Sequence, residues 1–385
     1  MHILYPDPHP VPDEVPEALQ ILSTVDAMGQ LGVRVTVVTP EPENPIQAAS
    51  VLGHPLSANV TLMHLPRPPG RSNKPFYRAL VARRLEMGAD AVLVRNLKMA
   101  EALLKAGETR LFFETHEHFT QTFREDHPKP SLRQRFKLRA LQRREATVYR
   151  GSRGLIALTS MLAEDLQTAF GSLPPFAIAP DGVDLELAQA ARNCASPNAT
   201  PVILYLGSLH PWKGVEVLVD AMQWVNNARL RIVGGNPQRI AELQNKVDAL
   251  GITNRIDLAG PVAPERRFDA IAASDICVLP LIDTSIGSRH TSPLKLFEYM
   301  GVGRAIIASD LASLREVLRD GYNAVLSPAG DAPALAHSLN RLCADKPLAA
   351  RLAAQARIDA TGYSWLARAT TVRDFIAARS YGQNP

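Results

Sequence analysis

Val202-Ile203-Leu204-Tyr205-Leu206-Gly207-Ser208-Leu209-His210-Pro211-Trp212-Lys213-Gly214-Val215 is the stretch on which the fold turns. Its first five residues are apolar without alternation, which reads as a strand buried on both faces of a sheet. The run stops at Gly207, where a missing side chain lets backbone N–H groups approach a ligand. A helix begins near Gly214, and its N-terminus is electropositive. Lys213 adds a movable full charge at the same place. Taken alone, the segment reads equally well as a phosphate or diphosphate site and as two turn glycines beside a solvated lysine.

The same alternation of short apolar runs and longer amphipathic ones extends in both directions. Strands are expected at Ile3–Tyr5, Val33–Thr39, Val60–Leu65, Ala91–Arg95, Leu111–Glu114, Gly154–Leu158 and Phe176–Ala179. A second set follows at Val202–Gly207, Leu230–Gly234, Ile256–Ala259, Ile276–Pro280, Ala305–Ser309 and Ala324–Leu326. Helix-like segments lie between them. This pattern implies α/β domains with parallel sheets covered on both faces, and ligands beyond the carboxyl ends of the strands. A chain of 385 residues fits two such domains. The boundary falls in a polar, Pro-containing run, giving domains at 1–182 and 202–363 with a linker at 183–201. The amphipathic tail, about 364–380, is free to cap either domain, the first included.

Lys and Arg number 42 against 38 Asp and Glu, an excess too small for a nucleic-acid binder. The three cysteines are odd in number and far apart, which disfavours a disulfide framework or a zinc site and fits a reducing cytoplasm. There is no basic segment followed by an apolar run at the N-terminus, and nothing approaches ~20 consecutive apolar residues. A cytoplasmic protein is expected, at most peripheral on the inner face of a membrane.

A second informative stretch is Thr291-Ser292-Pro293-Leu294-Lys295-Leu296-Phe297-Glu298-Tyr299-Met300-Gly301. Ser292 suits an N-cap and Pro293 the first helical position, so the amides of Leu294 and Lys295 would face the strand ends. Glu298 sits about one turn on, in an apolar helix, where a carboxylate needs donors. A ribose diol would supply two; an arginine such as Arg304 or Arg315 would serve as well.

These two segments resemble the donor-binding half of family 4 glycosyltransferases, which have the GT-B fold, two Rossmann-like parallel-sheet domains facing a central cleft. The likeness continues through Ile178–Asp184, Leu258–Val262, Ala273–Pro280, Gly303–Ser309, Leu314–Val317 and Tyr363–Trp365. It implies a hexosyltransferase moving a sugar with retention from a UDP- or GDP-linked donor. Lys213 would neutralise the diphosphate, with Gly207 and Ser208 beside it, and the Leu294 and Lys295 amides would hold the β-phosphate. Glu298 would bind the ribose, and Gly260 to Val262 would line the base pocket. His116, in Phe113-Glu114-Thr115-His116-Glu117, matches the family's catalytic histidine, and Arg95 is a weaker candidate. The acceptor would be a sugar, a lipid-linked or a small molecule, in envelope, polysaccharide or glycolipid synthesis.

The chain departs from the family in three places. Ser208 stands where an Arg is usual. His290 replaces the first glutamate of a pair spaced by eight, so His290, with Arg289 beside it, falls at the sugar end of the donor. The glycine-rich loop after the first strand is replaced by Pro6-Asp7-Pro8-His9-Pro10. No Asp-x-Asp pair occurs, so no metal and no cofactor are expected. The stretch 132–153 carries eight Arg and Lys against Glu145 alone, which reads either as a face for an anionic membrane or as a solvated helix. Two other functions stay open: a non-catalytic nucleotide-sugar-binding protein, and a GT-B-like sugar-nucleotide epimerase.

Overall fold

The computed structural model describes residues 1–66 and 72–380. The chain divides into two compact units, Met1–Pro180 with the C-terminal segment from Trp365, and Asp181–Ser364.

The first unit is built on the strands β1 (His2–Pro6), β2 (Arg34–Pro40), β3 (Val60–Leu65), β4 (Ala91–Val94), β5 (Leu111–Thr115), β6 (Gly154–Ala157) and β7 (Phe176–Ile178). They form one sheet in the order β3-β2-β1-β4-β5-β6-β7, parallel at every pairing. The helix Trp365–Ser380 belongs here. Its buried residues Trp365, Arg368, Ala369, Val372 and Ile376 form one helical stripe, and it lies against the Pro16–Gln30 helix and the β6–β7 side of the sheet.

The second unit carries β8 (Val202–Leu206), β9 (Arg229–Val233), β10 (Ile256–Gly260), β11 (Ile276–Leu279), β12 (Ala305–Ser309) and β13 (Val325–Ser327), in the order β10-β9-β8-β11-β12-β13, again all parallel. Alternate residues feed separate cores on its two faces. Ile203, Tyr205, Ile276, Val278 and Ile307 pack on one face, and Leu204, Cys277, Leu279, Ile306 and Ala308 on the other. That is why these strands read as unbroken apolar runs.

Residues 183–201, read from sequence as a linker, contain the helix Leu185–Asn193, capped by the Asp184 side chain. Ala188 and Ala191 bury it against the Leu294–Val302 helix. Small residues make this contact possible, and they also leave little hydrophobic periodicity to detect.

Candidate functional site

In the second sheet the strand order reverses between β8 and β11, the point at which parallel α/β sheets accept ligands. Gly207 leaves β8 at φ 137° and Gly214 ends the following turn at φ 67°, both conformations that favour glycine. A Cβ on Gly214 would lie 1.7 Å from the Pro280 carbonyl oxygen. The turn after β8 is therefore drawn tightly onto the end of β11. Lys213 lies in the turn Pro211–Lys213, its ammonium 5.1 Å from the Trp212 ring centre. Ser208 is half-buried, and its carbonyl accepts the Tyr205 hydroxyl at 2.6 Å.

The neighbouring helix runs Leu294–Val302 and begins without a side-chain cap. Ser292 does not cap it; its Oγ accepts the Asp181 backbone N–H at 2.8 Å instead. The hydroxyl thereby anchors the entry of the chain into this unit. The amides of Leu294 and Lys295 lie in the first turn, where no carbonyl of the helix itself can accept them. Positive potential at that end is a property of the backbone.

Three side chains of this region were not read from the sequence as chemistry. The Lys295 side chain is buried, and its Nζ lies 4.0 Å from the Tyr205 ring centre with no hydrogen-bond partner among the described residues. Burial first, and then the Lys213 charge, hold its pKa well below the ordinary lysine value, with Glu298 opposing. Arg267 is the partner of Glu298: its Nε donates to Oε1 at 2.7 Å, and both side chains are buried. The sequence reading named Arg304 or Arg315 for that role, yet Arg315 pairs with Asp310. Arg267 follows the turn Pro264–Arg266, and no sequence spacing connects it with Glu298. Tyr205 looked like an ordinary apolar strand residue, and only its partner gives it a role.

The remaining predicted residues are less uniform. Gly260 ends β10, accepts the Gly234 N–H at 2.7 Å and lies at a register shift of the strand, and Val262 beyond it is exposed. Arg289 and His290 lie in the turn Ile286–His290, which the Thr291 N–H closes onto the Ile286 carbonyl at 2.9 Å. His290 is wholly enclosed, so contact of its ring with a bound sugar requires the atoms that cover it to move. A separate cavity of about 210 Å³, bordered by Leu209, Glu216, Arg239, Glu242 and Lys246, contains none of the predicted residues.

His116 lies in the first unit, just past the carboxyl end of β5. Its Nε2 is 2.7 Å from Glu114 Oε1, which also accepts Arg368 Nη2 at 2.7 Å and Gln20 Nε2 at 3.3 Å. Burial alone would raise the Glu114 carboxyl. Arg368, then His116 and Arg95, outweigh it and hold the group well below the carboxylate range. An ionised Glu114 makes the His116 Nε2–H the donor and fixes the ring. Arg95 is occupied locally, donating to Gln20 and lying 3.8 Å from Asp7.

On the Leu132–Gly151 helix, Leu132 and Phe136 are exposed. Arg144, Arg150 and Arg153 make contacts within the unit, to Glu101, the Phe170 carbonyl and the Arg379 carbonyl. Arg133, Arg135, Lys137, Arg139 and Arg143 are exposed, as is Arg150. Among the described residues, no helix is long and apolar enough to cross a membrane.

Residues 200–345 match the family model described as "Glycosyl transferases group 1", and residues 19–187 match that described as "Glycosyltransferase Family 4". The chain is 31% identical over 250 residues to a D-inositol 3-phosphate glycosyltransferase of Xylanimonas cellulosilytica, covering 60% of this chain and 58% of that protein. It is 33% identical over 192 residues to a phosphatidyl-myo-inositol mannosyltransferase of Mycobacterium leprae, covering 48% and 49%. The match thus spans about half the length of these relatives. Among solved structures, the sucrose-phosphate synthase of Thermosynechococcus elongatus superposes with a TM-score of 0.79 at 20% identity, over 98% of this chain and 99% of that one. HepE of Anabaena, solved with UDP-glucose, gives 0.75 at 18% identity over 98% and 100%. At these identities the structures speak for the GT-B fold.

Proposed function

This chain belongs to the family 4 glycosyltransferases, and from that premise we propose that it transfers a sugar from a nucleoside-diphosphate sugar, UDP- or GDP-linked, to an acceptor hydroxyl with retention. The observation that carries the proposal is the buried Lys295 ammonium beside Gly207, at the carboxyl end of β8, with an uncapped helix N-terminus behind it and Lys213 in the turn that follows the strand. The bond between the anomeric carbon and the β-phosphate oxygen breaks. The acceptor oxygen takes its place on that carbon, and the hydroxyl proton leaves with the diphosphate. Negative charge grows on the diphosphate as the bond breaks, so Lys213 and the Leu294 and Lys295 amides stabilise the transition state more than the bound donor. Glu298, held by Arg267, keeps an orientation in which it can accept from the ribose. Gly260 and Val262 are assigned to the base. His116, oriented by Glu114, is the residue of the first unit that we assign to catalysis, and His290 with Arg289 to the sugar end of the donor. The UDP and UDP-glucose complexes of HepE support a uridine donor, and the inositol-directed relatives support a polyol or lipid-linked acceptor.

We assign the reaction to a metal-independent mechanism at the cytoplasmic face of a membrane. The exposed Leu132 and Phe136, set among Arg133, Arg135, Lys137 and Arg139, suit anionic headgroups. The deciding experiment is a calorimetric and turnover screen of UDP-, GDP- and ADP-sugars, with and without EDTA. Binding and transfer of one donor, unaffected by EDTA, are expected. Binding without transfer or hydrolysis for any acceptor class would favour a non-catalytic nucleotide-sugar binder, which the enclosed His290 keeps in view.

A further inference from the structure

We propose that the Lys295 ammonium, and not only the backbone N–H of that residue, binds the donor's diphosphate, swinging onto it from a resting place on the Tyr205 ring; this rests on the nucleotide-sugar reading above. The residue is 8% exposed, and Nζ has no hydrogen-bond partner among the described residues. Proteins seldom leave a buried ammonium in this condition, because its hydration is lost and nothing replaces it. The surroundings offer little relief. Lys213, from the turn after β8, is of like charge, and the Glu298 carboxylate one turn along its own helix is held by Arg267. What remains is the face of Tyr205, from β8 itself, at 4.0 Å, a weak partner beside an anionic oxygen. Burial and Lys213 together depress the lysine's proton affinity in the free protein, as expected of a cation waiting for its counter-ion.

The position specifies the ligand. The ammonium lies 3.2 Å from where a Cβ on Gly207 would stand, so any larger side chain there would crowd it. It lies beside the first turn of the Leu294–Val302 helix and close enough to Lys213 to feel its charge. Two cations and two amides exceed what one carboxylate or monophosphate needs, and they match the oxygens of a diphosphate. The four-carbon stem lets the ammonium turn from ring to oxygen without backbone movement.

The test is calorimetry with inorganic pyrophosphate, UDP and uridine on the wild-type chain and on Lys295→Met, Lys295→Arg and Lys213→Met, with the melting temperature of each free protein. Lys295→Met is expected to weaken pyrophosphate and UDP by roughly tenfold to a hundredfold, as for a lost charge-assisted hydrogen bond. Uridine binding should be unchanged, and the free variant should melt higher than wild type because a buried polar nitrogen without a hydrogen-bond partner among the described residues is gone. Lys295→Arg should recover most of the affinity. If Lys295→Met does not fold, Lys295→Gln is expected to give the same loss. Unchanged pyrophosphate and UDP affinity would overturn the assignment, and so would an equal loss for uridine, which marks a structural role. Should pyrophosphate bind in a Lys295-dependent way while no nucleoside diphosphate binds, the Lys295 assignment holds and the nucleotide-sugar reading falls. If wild type binds neither anion, both fall.

Discussion

Arg267 and Glu298 form a buried ion pair within the candidate donor site. Each charge is tolerated because of the other, and removing one partner leaves an uncompensated charge, which costs about 3–5 kcal/mol. Arg267→Met is therefore expected to lower unfolding stability by about that amount, whereas Arg267→Met with Glu298→Gln should be far milder. Urea denaturation of the four members of the cycle measures the difference. Similar losses in the single and the double variant would mean that the pair is not what holds these side chains. Glu298 itself was legible from sequence, because a carboxylate in an apolar helix demands donors. Its partner was not, since Arg267 meets it only through the packing of two helices. Lys295 was half legible: its amide followed from helix position, but no spacing in the sequence pointed to the burial of its side chain. Ser292 was misread as a cap because its true partner, the Asp181 N–H, is 111 residues away in the chain.

At the scale of elements, the β8 strand and the turn that follows it show why the sheets were readable. Strands buried on both faces announce themselves as continuous apolar runs, and the positions of all thirteen described strands were recoverable within a residue or two. The helix Leu185–Asn193 was hidden because it packs through alanines. Turns are less forgiving than the strands they join. Gly214→Ala would place a methyl 1.7 Å from the Pro280 oxygen, in a backbone region that L-residues avoid. It should cost roughly 2–4 kcal/mol and loosen the turn that presents Lys213. Gly321→Ala is the matched control, with φ 66° but open space around the added carbon, and about 1 kcal/mol is expected for it. Equal urea midpoints for the two variants would refute the close approach between the turn and β11.

For the molecule as a whole, the discontinuous first unit is the feature that sequence could not decide, since the amphipathic tail suited either domain. Arg368 shows why the tail belongs where it does. It donates to Glu114 at 2.7 Å and to the Ala179 and Pro180 carbonyls, and its side chain is 2% exposed. Arg368→Met should destabilise the protein by about 3–5 kcal/mol at neutral pH. The sign with pH follows from the Glu114 carboxyl, whose folded pKa lies below its ordinary 4.5. Below 4.5 the unfolded chain binds the proton first, so the ion pair's contribution is whole above that value and is lost as pH falls through the folded pKa. The stability gap between wild type and Arg368→Met is thus expected to narrow in acid, and a gap constant from pH 7 to 3 would contradict it.

That same tail sets a schedule for synthesis. The helix Trp365–Ser380 is translated only after the whole of Asp181–Ser364, so the first unit begins its sheet early yet waits for Arg368. At ~5–20 residues per second the delay is on the order of ten to forty seconds. Throughout it, the nascent Glu114 carboxylate lacks its guanidinium, and the Pro16–Gln30 helix lacks its cover. The half of the protein that emerges first is therefore the half completed last, and it is the one that a ribosome-associated chaperone would have most time to meet.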